Sequence, residues 1–276
     1  MKRFILNREP DKNGIVRLEG DDYHYLVRVR RLAPGEFFPA LLPNGDEVLI
    51  QVRSVEGGTL VGAISEEYLT RGHGGTEDTA SQTDTAFHTV AALPPIILLQ
   101  ALPKGEKMDL IVRQAAEGGV SEIIPFVSEF SIPKIKGDAD SGGKKQARWE
   151  RIIKEARQQS GSAVATAIRP PLGIDGLFAA WEEIKQKRPG ALGLLLHHLP
   201  LAQASLHGYL NTDPETVALA IGPEGGFSPA EVSCFLETGF KALTIGDTIL
   251  RTETAALYGA AAIRIILLER KSWAMK

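Results

Sequence analysis

The chain has 276 residues, of which 43% are hydrophobic and 24% charged, so it is long and apolar enough to fold as one large domain or two smaller ones. Its net charge of -3 excludes a protein that binds nucleic acid over its whole surface, because phosphate binding depends on Lys and Arg. The single cysteine, Cys234, excludes an internal disulfide framework and a cysteine-based zinc site, and it favours a reducing compartment.

The first segment, MKRFILNREPDKNG, begins with basic residues but contains no long apolar stretch. Arg8, Glu9 and Pro10 interrupt the apolar run well before the length of a signal peptide or a membrane span is reached. We therefore expect neither of these, no membrane partner, and a cytoplasmic location.

Residues 1–69 have the pattern of short strands joined by turns, which predicts a small β-barrel. The sequence PNGD at 43–46 is typical of a hairpin turn, because Asn-Gly tolerates positive φ, and alternating apolar residues follow it.

The sequence HYLVRVRRL within this region brings three arginines close together. If the segment is extended, Arg28 and Arg30 share a strand face. If it forms a short helix, His24, Arg28 and Arg31 share a face. Arg28, Arg30 and Arg31 are in either case a candidate phosphate-binding patch, and the alternative is a solvated charged face.

The composition then changes at 70–89, TRGHGGTEDTASQTDTAFHT, which has almost no large apolar residue. Such a segment cannot bury enough apolar surface to offset the entropy lost on folding. We predict a flexible linker between two domains, 1–69 and 90–276.

From 90 to 276, apolar runs of strand length alternate with helical periods; the runs include IILLQAL, VSEIIPFV, ALGLLLHH, TVALAI and KALTI. In the first helical period, KMDLIVRQAAEGG, five apolar residues share one face: Met108, Ile111, Val112, Ala115 and Ala116. Continuous apolar strands separated by helices predict an α/β domain with a parallel sheet covered on both faces.

Two glycine turns each follow a strand and precede a helix. In IGPEGGFSPAEV, Ser228 is suited to the N-cap of a helix, Pro229 to its first residue and Glu231 to a capping box, and Gly239 is suited to its end. In LTIGDTILRTETAAL, Gly246 follows a short strand and an alanine-rich helix begins near Thr252. Two such loops side by side at the carboxyl ends of parallel strands frame a crevice, where open α/β sheets bind ligands.

Neither loop matches the phosphate-binding pattern GxxxxGK[ST] or the dinucleotide pattern GxGxxG. This favours an adenosine-bearing ligand without phosphate, held by exposed backbone groups, of which S-adenosylmethionine is the obvious member. The alternative is that the glycines only make tight turns.

Three motifs in this order, LPKGEKMDLIVRQAAEGGVSEIIPF, AIGPEGGFSPAEV and LTIGDTILRTETAAL, lie behind a β-rich region that contains HYLVRVRRLAPGE. Together they resemble the bacterial 16S ribosomal RNA uracil-N3 methyltransferases of the SPOUT class. The resemblance implies a PUA-like N-terminal barrel and an α/β methyltransferase domain with a trefoil knot. It also implies S-adenosylmethionine as methyl donor, no metal, a homodimer, and 16S ribosomal RNA or the small ribosomal subunit as partner.

The resemblance further implies which residues surround the donor, most of them acting through backbone atoms or apolar contacts. These are Leu196, His197, Ile221, Gly222, Gly226, Ile245, Gly246, Ile249, Leu250, Arg251 and Thr252. It also implies that Lys104 and Lys107, in PKGEK, face the RNA.

Arg251 is the candidate catalytic residue. Uracil N3 carries a proton and lies on the pairing edge, so the base must be unpaired and the proton lost. Arg251 is suited to stabilise the negative charge that develops at a uracil carbonyl. The alternative is an arginine that ion-pairs with Glu253 or caps the loop backbone.

His197 and His198 are adjacent in a predicted strand, which directs their side chains to opposite faces and makes them a poor metal pair. We expect one of them to be packed and the other solvated; the alternative is a general-base role for His197.

The chain departs from the family pattern where RNA would be bound: Gln114, Phe130 and Ser162 replace a lysine and two arginines, and His198 replaces a frequent glutamate. These changes leave open a divergent SPOUT methyltransferase with another RNA target, or a non-catalytic RNA-binding or ribosome-assembly protein on the same fold. A nucleotide-dependent oxidoreductase is disfavoured, because its glycine fingerprint is missing.

Overall fold

The structure is a computed structural model that describes residues 4–6, 8–43, 46–65, 93–133, 139–198, 201 and 203–273. The chain divides into two compact units: residues 1–89 with 157–165, and residues 90–156 with 166–276. The predicted linker at 70–89 and the turn residues Asn44 and Gly45 of the predicted hairpin lie outside the described residues, so these predictions stay predictions.

The first unit contains a five-stranded sheet. Its strands are β1 (Phe4–Ile5), β2 (Ile15–Leu18), β3 (Phe37–Leu41), β4 (Glu47–Glu56) and β5 (Thr59–Ile64), in the spatial order β1-β3-β4-β5-β2. β3 and β4 pair in antiparallel register, with Leu41 opposite Glu47, as expected for the strands of the predicted hairpin.

The arginine-rich segment of this unit is helical. Helix α1 (Gly20–Tyr23) continues into a π-helical turn, His24–Val29, in which the Arg30 N–H donates to the Tyr25 carbonyl at 2.9 Å. Leu26 is fully buried in the core of this unit, and the helical backbone of the turn excludes a strand. The extended alternative was therefore wrong. The helical alternative holds for His24 and Arg28, whereas Arg31 lies beyond the turn, so the shared face of all three residues stays a prediction. Arg28 and Arg31 are exposed, Arg30 is half-buried, and the left-handed φ of 58° at Arg31 ends the turn.

The second unit contains a six-stranded sheet in which every pairing is parallel. Its strands are β6 (Ile96–Ala101), β7 (Glu122–Phe126), β8 (Ala167–Ile168), β9 (Ala191–Leu196), β10 (Thr216–Ile221) and β11 (Lys241–Leu243), in the order β11-β9-β10-β6-β7-β8. The helices are α2 (Lys107–Glu117), α3 (Ala139–Ser160), α4 (Ile174–Lys187), α5 (Leu206–Leu210), α6 (Pro229–Glu237) and α7 (Thr252–Trp273). The predicted parallel α/β domain is confirmed.

Alternate residues of the central strands enter two separate cores. Leu98 and Leu219 belong to the core shared with α2, α3 and α7, whereas Leu99 and Ala218 belong to the core shared with α4 and α6. Because both faces are covered, the strands need apolar residues at every position, which explains their continuous apolar runs. In the part of the chain that the structure describes, no helix combines the length and the apolar character needed to cross a bilayer.

Candidate active site

One cavity of about 510 Å³ lies where three neighbouring strands end. Strand β9 lies between β10 and β11, so the two glycine loops do not follow adjacent strands, and the expectation of loops side by side was wrong in this respect. The end of β9 instead contributes to the cavity between them. All eleven residues predicted to surround a donor line this cavity: Leu196, His197, Ile221, Gly222, Gly226, Ile245, Gly246, Ile249, Leu250, Arg251 and Thr252.

The first loop, which follows β10, folds tightly on itself. The Gly226 N–H donates to the Pro223 carbonyl at 2.9 Å, and Gly226 has a left-handed φ of 72°. A Cβ atom at Gly222 would lie 3.1 Å from the carbonyl carbon of Gly226 and 3.2 Å from its Cα. Position 222 therefore requires glycine because the backbone of Gly226 leaves no room for a side chain. Position 226 requires glycine because of its left-handed φ.

Helix α6 fixes the far end of this loop, as predicted. The Ser228 hydroxyl accepts from the Glu231 N–H at 3.3 Å, and the Glu231 carboxylate accepts from the Ser228 N–H at 2.9 Å, which completes a capping box. The second oxygen of the buried Glu231 accepts from the Glu129 N–H at 2.9 Å. The cap thus also holds the loop that follows β7.

The second loop, between β11 and α7, is tied to the end of β9. The His197 N–H donates to the Leu243 carbonyl at 3.0 Å, and the Thr244 hydroxyl donates to the His197 carbonyl at 3.2 Å. Further along the loop Gly246 has a φ of 73°, and Ile249 leaves 79% of its side chain exposed at the cavity.

Thr252, at the end of the second loop, forms a hydrogen bond to the first loop. Its buried hydroxyl donates to the Gly222 carbonyl at 2.7 Å and accepts from the Gln100 Nε2 at 3.1 Å. Gln100 is itself fully buried at the end of β6, and its Nε2 also donates to the Ala101 carbonyl. The role of Gln100 was not predicted, although it is the single polar residue in the run IILLQAL and was the available signal.

Thr252→Val is expected to destabilise the protein by about 1–3 kcal/mol, because it leaves the Gly222 carbonyl without its donor and removes one acceptor of Gln100. Donor affinity should fall with it, since the first loop loses its tie to α7. Thr252→Ser keeps the hydroxyl and is the matched control. Denaturant unfolding and calorimetric titration with S-adenosylmethionine measure both effects. Equal stability of the valine and serine variants would contradict the role of the hydroxyl.

Lys107 and Glu224 form an ion pair at the rim of the cavity. The Lys107 Nζ lies 2.7 Å from Glu224 Oε1 and 3.7 Å from Glu253 Oε2, and the Lys104 N–H donates to both Glu224 oxygens at 3.2 Å. Glu224 therefore ties the first glycine loop to the start of α2. Lys107, predicted to contact RNA, is engaged in this cluster and lines the cavity, whereas Lys104 is exposed.

This arrangement shifts both pKa values towards the charged forms. Burial raises the pKa of Glu224, but hydrogen bonds from Lys107 and from backbone N–H groups outweigh it, so the pKa lies below its ordinary value. The hydrogen bond to Glu224 is the main cause that raises the pKa of Lys107.

Glu224→Gln is expected to lower stability at neutral pH by about 1 kcal/mol or less, because both partners are about one-third exposed. A carboxyl whose pKa is lowered by folding contributes stability above its unfolded pKa, about 4.3, and loses it as the pH falls through the folded value. The difference in unfolding free energy between wild type and variant should be constant from about pH 6 to 9 and shrink below about pH 4. Denaturant titrations across this range measure it, and a difference that grows on acidification would contradict the assignment.

Arg251 is exposed at the cavity, and its backbone carbonyl accepts from the Ala255 N–H at 2.8 Å at the start of α7. Glu253 pairs with Lys107 and not with Arg251, so the predicted alternative of an Arg251–Glu253 ion pair was wrong. Among the described residues no carboxylate forms an ion pair with the Arg251 guanidinium.

His197 and His198 follow β9 rather than lie within it. His197 is buried and His198 exposed, as expected, but their rings stack with centroids 4.8 Å apart, so the expectation of opposite faces was wrong. The alternation of a strand no longer applies once the strand has ended at Leu196. The described residues contain no group of three or more His, Cys, Asp or Glu side chains suited to a metal ion.

The three departures that replace a lysine or an arginine of the family pattern occupy different places. Gln114 is half-buried on α2, with a buried Oε1 that has no hydrogen-bond partner among the described residues. Phe130 is exposed beside the first glycine loop. In the first unit, the Ser162 N–H donates to the Ser160 hydroxyl at 3.2 Å.

Several lining residues were not predicted individually, although most belong to the two quoted loops. These are His198, Pro223, Glu224, Gly225, Phe227, Thr244, Thr248 and Ala255, together with Lys107, which was predicted only as an RNA contact.

Comparison with known proteins identifies the family. The model of the RNA methyltransferase domain matches residues 91–264, and the model of the RNA methyltransferase PUA domain matches 18–64. The chain is 30% identical to the ribosomal RNA small subunit methyltransferase E of Aquifex aeolicus, over 89% of this chain and 91% of that protein. The chain belongs to the ribosomal RNA small subunit methyltransferase E family.

A second member of this family, from Synechocystis, is also 30% identical, over 96% of this chain and 78% of that protein. The solved structure of a Legionella pneumophila methyltransferase in complex with its bound cofactor, S-adenosylmethionine, is 27% identical. It superposes with a TM-score of 0.71 over 96% of this chain and 97% of that one. The predicted SPOUT methyltransferase fold with an N-terminal PUA-like domain is thereby confirmed for this methyltransferase.

Proposed function

We propose that this protein transfers a methyl group from S-adenosylmethionine to N3 of a uridine in 16S ribosomal RNA of the small ribosomal subunit. The observation that carries the proposal is the convergence of the eleven predicted donor residues on one cavity in a chain of this family.

The cavity suits the proposed donor. Its volume of about 510 Å³ lies in the usual range for small-molecule sites, about 300–1,000 Å³. Leu196, Ile221 and Leu250 offer apolar contacts for an adenine ring, and the turns at Gly222 and Gly246 expose backbone polar groups. S-adenosylmethionine supplies an activated methyl group on a sulfonium, and transfer from it needs no metal.

The residues of the chain have two tasks in such a reaction. The loops hold donor and base in line at near-attack distance, which is the main source of rate enhancement in a displacement. The exposed Arg251 guanidinium donates to a uracil carbonyl and stabilises the negative charge that develops when N3 loses its proton to solvent water. The N3–methyl bond forms as the bond between the sulfonium sulfur and the methyl carbon breaks, and S-adenosylhomocysteine leaves as the neutral thioether.

RNA contacts are assigned to Arg28, Arg30 and Arg31 in the first unit and to Lys104 and Lys107 in the second. The exposure of Arg28, Arg31 and Lys104 supports contact with phosphates. Lys107 is ion-paired with Glu224 and Glu253, so we propose that it contacts the RNA while it keeps these two partners.

A homodimer in the cytoplasm completes the proposal. Leu110 on α2 and Leu257, Tyr258 and Ile265 on α7 are exposed apolar side chains, and a cleft of about 270 Å³ lies between the two helices. Leu257 and Ile265 line this cleft, and exposed apolar surface of this kind is typical of protein interfaces, which supports pairing through α2 and α7.

The test is incubation of the purified protein and radiolabelled S-adenosylmethionine with small subunits, large subunits and free 16S RNA from a strain that lacks the enzyme. Label at a uridine N3 of small-subunit RNA is the expected result. Label on a different RNA would favour a divergent target, and donor binding without any label would favour a non-catalytic RNA-binding protein.

A further inference from the structure

An aromatic side chain projects into solvent beside the candidate active site. Phe130 is 46% exposed, which is unfavourable for a large apolar group in the absence of a partner. It lies in the loop after β7, at the carboxyl edge of the sheet where β9, β10 and β11 also end.

The backbone that carries Phe130 is fixed on both sides. Residues 128–131 form a turn in which the Ser131 N–H donates to the Ser128 carbonyl at 3.1 Å, and both serine side chains are buried. The Ser131 hydroxyl also accepts from the Ser128 N–H at 3.2 Å. The Glu129 N–H is held at 2.9 Å by the buried Glu231 of the α6 cap. An exposed ring on a turn with these ties loses little further freedom when it meets a ligand.

Gly225 of the first glycine loop leaves room for this ring. A Cβ atom at Gly225 would lie 3.0 Å from the Phe130 Cβ and 3.5 Å from its Cγ. Gly225 does not have a left-handed φ, so the close approach of Phe130, and not the backbone conformation, accounts for glycine here. Gly225 lines the cavity, so Phe130 lies next to one of the residues that form the cavity.

We propose that Phe130 is a stacking platform for the target uracil, and so a residue that positions the substrate base for the reaction; this inference rests on the proposed function. A base whose N3 reacts must leave its pair and its stack, and an aromatic face replaces the stacking that is lost. Phenylalanine has no hydrogen-bonding group, so its contribution is an apolar, planar surface that accepts the face of a base and leaves the pairing edge free.

The activity test compares Phe130→Ala, Phe130→Leu and Phe130→Tyr, with Ile132→Ala as control because Ile132 is an exposed apolar residue two positions along the same segment. The alanine and leucine variants should lower kcat/KM for the RNA by about 5- to 150-fold, the range of a lost base–aromatic stack. The tyrosine variant should retain most of the activity, and Ile132→Ala should match wild type. The Kd for S-adenosylmethionine should be the same in all of them.

Two results of this comparison would overturn the inference. Activity of Phe130→Leu equal to that of Phe130→Tyr would show that apolar bulk suffices without an aromatic ring. A parallel loss of donor affinity and RNA methylation in Phe130→Ala would show that the ring only packs the loop at Gly225.

A cross-linking experiment tests the same contact without methyl transfer. 16S RNA transcribed with 5-iodouridine is irradiated with the donor-loaded protein, and the attached peptide is identified by mass spectrometry. Attachment at Phe130 is expected, and its absence in wild type would overturn the inference. If wild type cross-links at Phe130 yet methylates no RNA, the stacking contact stands and the proposed methylation fails.

Discussion

Gly222→Ala is expected to raise the Kd for S-adenosylmethionine by about 5- to 150-fold. The new methyl group would lie 3.1–3.2 Å from the backbone of Gly226, which cannot move as a flexible side chain does. Overpacking of this kind costs about 1–3 kcal/mol, and here the strain falls on the loop that lines the cavity. Methylation should fall in proportion at donor concentrations below the new Kd.

The matched control is Gly143→Ala, which makes the same chemical change in helix α3, where a Cβ atom would meet nothing within 4 Å. It should leave donor affinity unchanged and stabilise the helix slightly. Calorimetric titration of the three proteins with S-adenosylmethionine measures the effect. Wild-type affinity in Gly222→Ala would mean that the first loop does not hold the donor.

Arg251→Ala is expected to lower kcat by about 100- to 1,000-fold, the usual loss when a donor to a developing oxyanion is removed. Arg251→Lys should recover only part of this loss, because an ammonium keeps the charge but not the planar pair of donors. Donor affinity should change less than kcat, since the proposed donor contacts are mostly with backbone and apolar groups of the cavity.

Arg188→Ala is a suitable control, because Arg188 is an exposed arginine at the end of α4. Single-turnover measurements with saturating donor separate the methyl transfer step from binding. A wild-type rate in Arg251→Lys would contradict the proposed role of the planar guanidinium donors. It would show that a positive charge at this position is sufficient.

Helix α6 shows what the sequence predicts well. Ser228, Pro229, Glu231 and Gly239 determine its two ends through interactions within a few residues, and each takes the predicted place. The parallel sheet was predictable for a similar reason, because burial on both faces imposes continuous apolar runs on every central strand.

Contacts between distant segments of the chain were not predictable in this way. Gln100 and Thr252 are 152 positions apart, and Lys107 and Glu224 are 117 apart, so neither local periodicity nor a motif signals either pair. The placement of β9 between β10 and β11 likewise depends on strand order, which apolar runs do not encode. The two glycine loops were therefore predictable as segments that line the cavity, whereas the hydrogen bonds and the ion pair that hold them in place were not.

The most direct test of the central claim is nucleoside analysis by mass spectrometry of 16S RNA from a strain that lacks the enzyme, complemented with this protein. Wild type should restore 3-methyluridine at one position, and Gly222→Ala should restore much less at equal expression. Absence of 3-methyluridine with wild type, in a protein that binds S-adenosylmethionine in vitro, would contradict the assignment of both the base and the RNA.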